Sequence, residues 1–113
     1  MGKAIQNAVR HFEGLGPVRI EIEQWSDEDG PLVIVAEPMT LEDKIRMAEI
    51  TTQRSALDGM IWVLLKYAKD EDGNRIFDLE DKVALKTKVD PDIISDIVQK
   101  ITRSQSVGAM ENF

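Results

Sequence analysis

The chain has 113 residues, of which 42% are hydrophobic, and its formal net charge at pH 7 is −7. This length suits one domain with its own core, and the hydrophobic fraction is too high for a wholly disordered protein. The absence of cysteine excludes disulfides and cysteine-based metal sites. The acidic surplus argues against binding to nucleic-acid phosphates. No apolar run reaches the roughly 18 residues of a membrane span, so we expect a soluble, cytoplasmic protein.

The first 17 residues carry apolar side chains at helical spacing, namely Ile5, Val9 and Phe12. The segment GLGP then interrupts any helix. The pattern at 1–17 is compatible with a short helix or with a mobile arm, and it does not decide between them.

A strand pattern begins at Val18, where VRIEIE alternates apolar and charged residues. The segment SDEDGP has the composition of a turn, and LVIVAE is a second run of strand composition. Pro38 closes this second strand because proline cannot donate to a sheet ladder. The sequence therefore predicts a β-hairpin over 18–37, with Trp25 near its mouth.

Helical patterns occupy residues 40–103. Thr40 is the predicted N-cap of a helix, and the apolar pattern continues through 41–69. Whether 41–69 forms one helix or two stays open, with Ser55 to Gly59 as the natural place for a break. The stretch MIWVLLKYA is the strongest core signal, and we assign Trp62 to the core.

Two further helices are predicted before the end of the chain. Asp78 is the expected N-cap of a short helix over 79–88, and Asp90 followed by Pro91 marks the start of the last helix. The apolar stripe of that helix consists of Ile93, Ile94, Ile97, Val98 and Ile101. Residues 104–113 lose the pattern and are predicted to form a flexible tail.

These elements predict an α+β fold. We expect an N-terminal arm or short helix at 1–17, and then a single domain over 18–103. In that domain the β-hairpin packs on a mainly helical part of about four helices.

The segment DEDGNRIFDLED has partial similarity to a calcium-binding loop. Asp70, Asp72 and Asn74 match the first three ligand positions. However, Arg75 replaces the required glycine and Asp81 replaces the bidentate glutamate. We interpret the segment as an ordinary acidic turn.

No catalytic, cofactor-binding or metal-binding residues are predicted. His11 is the only histidine, and the glycines do not form a phosphate-binding loop. A helix-turn-helix at 79–103 is disfavoured, because Asp90, Asp92 and Asp96 of the would-be recognition helix would face phosphates.

The acidic residues concentrate in two stretches, around Trp25 to Gly30 and around Asp70 to Asp81. We expect both stretches to stay in water, so that a partner meets the helices. Trp25 lies at a strand end, where it either contacts a partner or covers the core.

Three segments together resemble the phage tail assembly chaperone family of long-tailed bacteriophages. The first is EIEQW at a strand end, paired with a strand leading into EPMTLEDKIRM. The second is KDEDGNRIFDLEDKVAL, and the third is the final helix with its tail, DIISDIVQKITRSQSVGAMENF. The resemblance covers about residues 18–113.

The resemblance implies a non-enzymatic assembly factor that binds the tape measure protein and helps to recruit tail tube subunits. It places the protein in the bacterial host cytoplasm and outside the mature virion, and it leaves homo-oligomerisation open. Trp25, Ile97 and Ile101 are the candidate partner-binding residues. The alternative is a small acidic phage-encoded regulatory or inhibitor protein, such as one that binds a host factor or mimics DNA. A DNA mimic is disfavoured because the carboxylates concentrate in two turns.

Overall fold

The computed structural model of the chain describes residues 2–103, so that Met1 and the predicted tail at 104–113 lie outside the described residues. The elements in chain order are α1 (Lys3–Glu13), β1 (Val18–Asp27), β2 (Gly30–Ala36), α2 (Leu41–Gln53), α3 (Ala56–Tyr67), α4 (Lys82–Thr87) and α5 (Pro91–Thr102), with a 3₁₀ turn at Leu79–Asp81 before α4. This order confirms the predicted α+β class. It also decides between the short helix and the mobile arm considered for residues 1–17, because Lys3–Glu13 is helical.

The two strands form an antiparallel hairpin in which Ile20 pairs with Ile34 and Ile22 pairs with Leu32. Ile20, Ile22 and Ile34 are buried, whereas the charged residues between them on β1 are exposed. The alternation seen in the sequence thus places one face of the hairpin on the core.

The hairpin turn is shorter than the predicted SDEDGP turn. Asp27 still pairs with Gly30, so β1 continues through the first two residues of that segment and only two residues lie between the strands. Gly30 has a φ of 111°, which a residue with a side chain rarely adopts, and the Asp27 carboxylate accepts a hydrogen bond from Asp29 N at 2.8 Å. A register shift between Ile22 and Asp27 accommodates this tighter turn.

The segment 41–69 contains two helices, each with its own N-cap. Thr40 Oγ1 accepts a hydrogen bond from Asp43 N at 3.1 Å, which confirms the predicted cap of α2. Ser55 Oγ accepts one from Asp58 N at 3.1 Å and starts α3. The break therefore lies at Arg54 and Ser55, at the beginning of the region predicted for it.

Gly59 of α3 faces Met47 and Thr51 of α2 at close range. A Cβ atom at this position would overlap Thr51 Oγ1 and would lie 3.3 Å from the Met47 carbonyl oxygen. The glycine therefore permits a closer approach of the two helices than a larger residue would allow.

The predicted helix over 79–88 is wrong in its first turn, where Leu79–Asp81 winds as a 3₁₀ turn before α4. Asp78 lies at the N-cap position, and its backbone N–H donates to Asp81 Oδ2 at 2.8 Å. At the last helix, Asp90 Oδ1 accepts a hydrogen bond from Asp92 N at 2.9 Å and Pro91 occupies the first turn, as predicted.

The core lies between the hairpin, α3 and α5. Helix α5 packs against α3 and against β1, while α2 covers another side of α3. The largest fully buried side chains are Ile34, Ile61, Val63, Leu64, Ile94, Ile97 and Ile101. Because α3 and α5 supply most of these, the remaining helices are free to present side chains to solvent.

Candidate partner-binding surfaces

Helix α1 presents an apolar stripe to solvent. Ile5, Val9 and Phe12 lie on one face, since they are four and three residues apart, and their exposed fractions are 48%, 39% and 39%. Leu15 continues the stripe beyond the end of the helix. No residue of α1 is buried. This helix therefore carries an amphipathic pattern without the core contact that such a pattern usually serves.

The C-terminal end of α1 lies beside the end of α5. Gly14 ends α1 by donating its N–H to the carbonyl oxygens of Arg10 and His11, and Gly16 follows with a φ of 69°. Arg103 Nη2 donates a hydrogen bond to Gly16 O at 2.6 Å. The junction between α1 and β1 is thereby joined to the last described residue of the chain.

Trp25 is half-buried at the far end of β1. Its ring meets the Phe77 ring edge to face, with 6.4 Å between the ring centroids and an interplanar angle of 83°. One part of the indole therefore packs on the core while another part stays open to solvent. Both roles predicted for Trp25 are compatible with this position.

The two acidic stretches, predicted as separate turns, meet in the structure. Val35 of β2 exchanges hydrogen bonds with Lys69, through N–H···O contacts of 2.7 and 3.2 Å, and this pairing brings the turn at 70–74 to the edge of the sheet. One shallow depression is consequently lined by Asp27, Asp29, Gly30, Asp70, Glu71 and Asp72 together with Trp25, Pro31, Leu32 and Val33. The surface near Trp25 therefore combines apolar and acidic side chains.

The acidic turn is held in shape by its own groups. Asp70 Oδ1 accepts hydrogen bonds from Asp72 N and Asn74 N, both at 2.9 Å. Glu71 forms an ion pair of 2.9 Å with Arg19 of β1, in which both side chains are more than half exposed. Such an exposed pair adds little stability but holds the turn beside the hairpin.

A second depression lies between α2, α3 and the 3₁₀ turn. Its volume is about 270 Å³, below the range of about 300–1,000 Å³ usual for small-molecule pockets. Trp62, assigned to the core from the sequence, is only half-buried here, and Lys66 Nζ lies 5.3 Å from its ring centroid. Leu79 at the rim is 77% exposed. The lining combines apolar side chains with charged ones, among them Arg46, Arg54 and Lys82.

Asp58 lies at the edge of the same depression. Lys86 Nζ approaches Asp58 Oδ1 at 2.9 Å, and Ser55 Oγ donates to Asp58 Oδ2 at 2.9 Å. The hydrogen bond from Lys86, followed by that from Ser55, holds the pKa of Asp58 below its ordinary value. This carboxylate is therefore ionised at neutral pH and ties α4 to the start of α3.

The candidate residues on α5 lie inside the core. Ile97 is 1% exposed and Ile101 is fully buried, because α5 turns its apolar stripe toward α3 and β1. Neither side chain is accessible to a partner in this conformation, so of the three residues predicted to bind a partner only Trp25 reaches the surface.

Leu79 and Val83, like Leu41 and Ile45 of α2 and the residues of the α1 stripe, are exposed apolar residues outside the predicted sites. Leu79 and Val83 are four residues apart, and both are more than two-thirds exposed. Their spacing is visible in the sequence, but the same spacing is typical of a helix that turns these residues inward.

No protein-family model and no curated protein matches the sequence. The fold is similar to that of the tail assembly chaperone of bacteriophage HK97. The TM-score is 0.52 at 12% sequence identity, and the match covers 89% of this chain and 98% of the HK97 chain. The likeness to the HK97 chaperone thus extends over nearly the whole of both chains and shows a shared fold. None of the helices between residues 2 and 103 is long and apolar enough to cross a membrane.

Proposed function

We propose that this protein is a phage tail assembly chaperone, a non-enzymatic factor that binds the tape measure protein and helps to recruit tail tube subunits in the host cytoplasm. The observation that carries this proposal is the fold shared with the HK97 tail assembly chaperone over almost the full length of both chains. The family resemblance of three sequence segments supports the same function independently of the fold.

The apolar stripe of α1 is the proposed site for the tape measure protein. A long helical partner presents apolar side chains at the same spacing as Ile5, Val9 and Phe12, and two such stripes bury each other from water. The acidic turns lie on other elements of the chain and keep a high negative charge on the complex, which favours its solubility. Trp25 is proposed as a second contact.

The charged groups support a binding role more than catalysis. The pKa values of Asp43 and Asp58 are both lowered, the first mainly by the hydrogen bond from Tyr67 and the second mainly by that from Lys86. A carboxyl group that acts as a general acid or base near neutral pH needs a pKa shifted in the opposite direction. Both carboxylates instead join neighbouring helices.

The test is co-expression with a helical fragment of the tape measure protein encoded near this gene. We expect the intact chain to keep the fragment soluble and to co-purify with it. The double variant V9S/F12S should lose this effect, because it removes most of the exposed stripe. The matched control K3S/N7S changes the opposite face of α1 and should behave like the intact chain.

Loss of the complex in both double variants, or in neither, would contradict the assignment of the stripe. The gene neighbourhood offers a separate check. A major tail protein gene upstream and a very long helical coding region downstream are expected, and neighbours that are all repressors or restriction genes would contradict the proposed function.

A further inference from the structure

The depression between α2, α3 and the 3₁₀ turn is positively charged, although the chain as a whole is acidic. Its lining contains three cations, Arg46, Arg54 and Lys82, and one carboxylate, Asp58. The formal net charge of the chain is −7. This local surplus of positive charge distinguishes the depression from the acidic surface near Trp25, and we call it the cationic depression.

Asp58 does not balance the charge of the cationic depression. Its Oδ1 lies 2.9 Å from Lys86 Nζ and 4.0 Å from Lys82 Nζ. Its Oδ2 accepts a hydrogen bond from Ser55 Oγ at 2.9 Å. The carboxylate is therefore shared between two lysines and a hydroxyl group, which leaves the two arginines of the lining without its charge.

Both arginines are exposed at the C-terminal part of α2. Arg46 forms an ion pair of 3.4 Å with Glu49, in which both side chains are about half exposed. Such a pair is easily exchanged for another, since it adds little stability. Arg54 forms no ion pair with a carboxylate among residues 2–103. A guanidinium group binds a carboxylate through two parallel hydrogen bonds, so this edge of the depression favours planar anions.

Apolar surface lies next to these cations. Ile50, Trp62 and Leu65 of the lining are only partly buried, and Leu79 is 77% exposed. A free phosphate or carboxylate ion would leave this apolar surface in water. A peptide with an apolar side chain between carboxylates would cover it and also pair with the cations. The chemistry of the lining therefore favours a peptide segment.

A nucleic acid fits the cationic depression less well. Glu80 and Asp81 directly follow Leu79 in the chain, although neither lines the depression. A long chain of phosphates that crossed the 3₁₀ turn would meet these carboxylates, and it would be repelled by the net charge of the protein. A short acidic peptide carries few charges, which can all lie within the depression.

We propose that the cationic depression binds a short acidic segment of another protein, in which an apolar side chain is flanked by carboxylates. The apolar side chain packs on Trp62 and Leu79, and the carboxylates pair with Arg46 and Arg54. No residue of this surface belongs to α1. The inference therefore does not rest on the proposed function, and its failure would leave the co-expression test unaffected.

The experiment titrates the full ¹⁵N-labelled chain with the capped peptide EDLFED. We expect shifts of the amide signals of residues 46–54, 61–65 and 79–82 and of the Nε–H signals of the two arginines. Two further peptides separate the two parts of the contact. QNLFQN lacks the charges and EDSSED lacks the apolar side chains, and each should bind at least about fivefold more weakly.

Variants of the chain locate the positive charge. R46Q/R54Q should weaken binding of EDLFED by about fivefold or more, as expected for the loss of two partly exposed ion pairs. The matched control K3Q/R10Q removes the same charge from α1 and should bind like the intact chain. All four side chains are exposed, so both variants should fold, and their amide spectra check this.

A second pair of variants tests the apolar contact. L79S should weaken binding of EDLFED. L41S removes an equally exposed leucine of α2 that does not line the depression, and it should leave binding unchanged, since Leu41 and Leu79 are 75% and 77% exposed. Equal effects of L79S and L41S would overturn the apolar part of the proposal.

Four other results would overturn the proposal as a whole. The first is the absence of shifts at peptide concentrations up to about 1 mM. The second is equal weakening by R46Q/R54Q and K3Q/R10Q, which would show an effect of net charge alone. The third is binding of inorganic phosphate or oligothymidylate to the same residues as tightly as EDLFED. The fourth is a shift of these signals when the protein alone is concentrated, which would assign the depression to a second copy of the chain.

Discussion

The Tyr67 hydroxyl of α3 donates a hydrogen bond to Asp43 Oδ2 in the first turn of α2. The other carboxylate oxygen of Asp43 contacts Lys66 Nζ at 2.9 Å. Helix α2 has no fully buried residue, so these polar contacts carry more of its attachment than they would in a helix anchored in the core. Tyr67 is itself buried, and its hydroxyl also has hydrogen-bond contact with Thr40, the N-cap of α2.

Replacing Tyr67 by Phe should lower the free energy of unfolding by about 1 kcal/mol, the usual net contribution of one hydrogen bond. Urea denaturation with an unchanged slope is the measurement. The control is E49Q on the same helix, where the exposed Arg46–Glu49 pair should change stability by less than about 0.5 kcal/mol. Equal stabilities of Y67F and the unchanged chain would contradict the importance of this contact.

The same contact predicts an alkaline titration. Burial, and secondly the neighbouring Asp43 carboxylate, raise the pKa of Tyr67 to about 12 from an ordinary value of 10.0. A raised pKa stabilises the folded state fully below pH 10, and this stabilisation is lost as the pH rises toward 12. Tyr67 is the only tyrosine, so phenolate absorbance reports on it alone.

We expect a native titration midpoint near pH 12 and a midpoint near 10 in urea. In D43N the native midpoint should fall but stay above 10, because burial persists. A titration midpoint at pH 10 in the folded protein would show that the Tyr67 hydroxyl is exposed to water and is not bonded to Asp43.

Because α2 and α3 approach closely at Gly59, we expect substitutions of Gly59 and Thr51 to have coupled effects on stability. G59A gains about 1 kcal/mol of helix propensity but forces overlap with Thr51, and overpacking of this kind costs about 1–3 kcal/mol. We therefore expect a net loss of stability. T51A removes the overlapping oxygen, so T51A/G59A should be more stable than G59A alone. Additive effects in this double-mutant cycle would contradict the contact between α2 and α3 at this point.

Substitutions of Trp25 can separate its contribution to partner binding from its contribution to the stability of the fold. Under the proposed function, W25A should weaken the complex with the tape measure fragment by at least about tenfold, as expected for a central aromatic contact. W25F retains a ring against Phe77 and should keep the stability of the fold. If W25A lowers stability while binding by the folded fraction is unchanged, Trp25 covers the core and does not contact the partner.

Local features of the fold are visible in the sequence because they depend on neighbouring residues. The caps at Thr40 and Asp90 are predicted correctly, since each side chain bonds to a backbone amide two or three residues later. The alternation on β1 likewise identifies its buried face. These contacts need no knowledge of the tertiary structure.

The spacing of apolar residues predicts which of them share one face of a helix, but it does not predict whether that face is buried. Helices α1 and α5 both carry such stripes, yet Ile97 is buried in the core and Val9 faces solvent. The difference arises because α5 lies against α3 and β1, whereas α1, which precedes the GLGP segment, buries none of its residues. The sequence also does not show that the two acidic stretches lie side by side, because their contact depends on the tertiary pairing of Val35 with Lys69.

The pairing of Val35 with Lys69 has a consequence for self-aggregation. A two-stranded hairpin leaves the outer backbone groups of β2 open, and an open strand edge can recruit strands of other chains into a growing sheet. Both backbone groups of Val35 are already taken by Lys69, and the charged turn beyond it repels a further strand. A protein proposed to prevent the aggregation of another chain thus closes part of the edge through which it would itself aggregate.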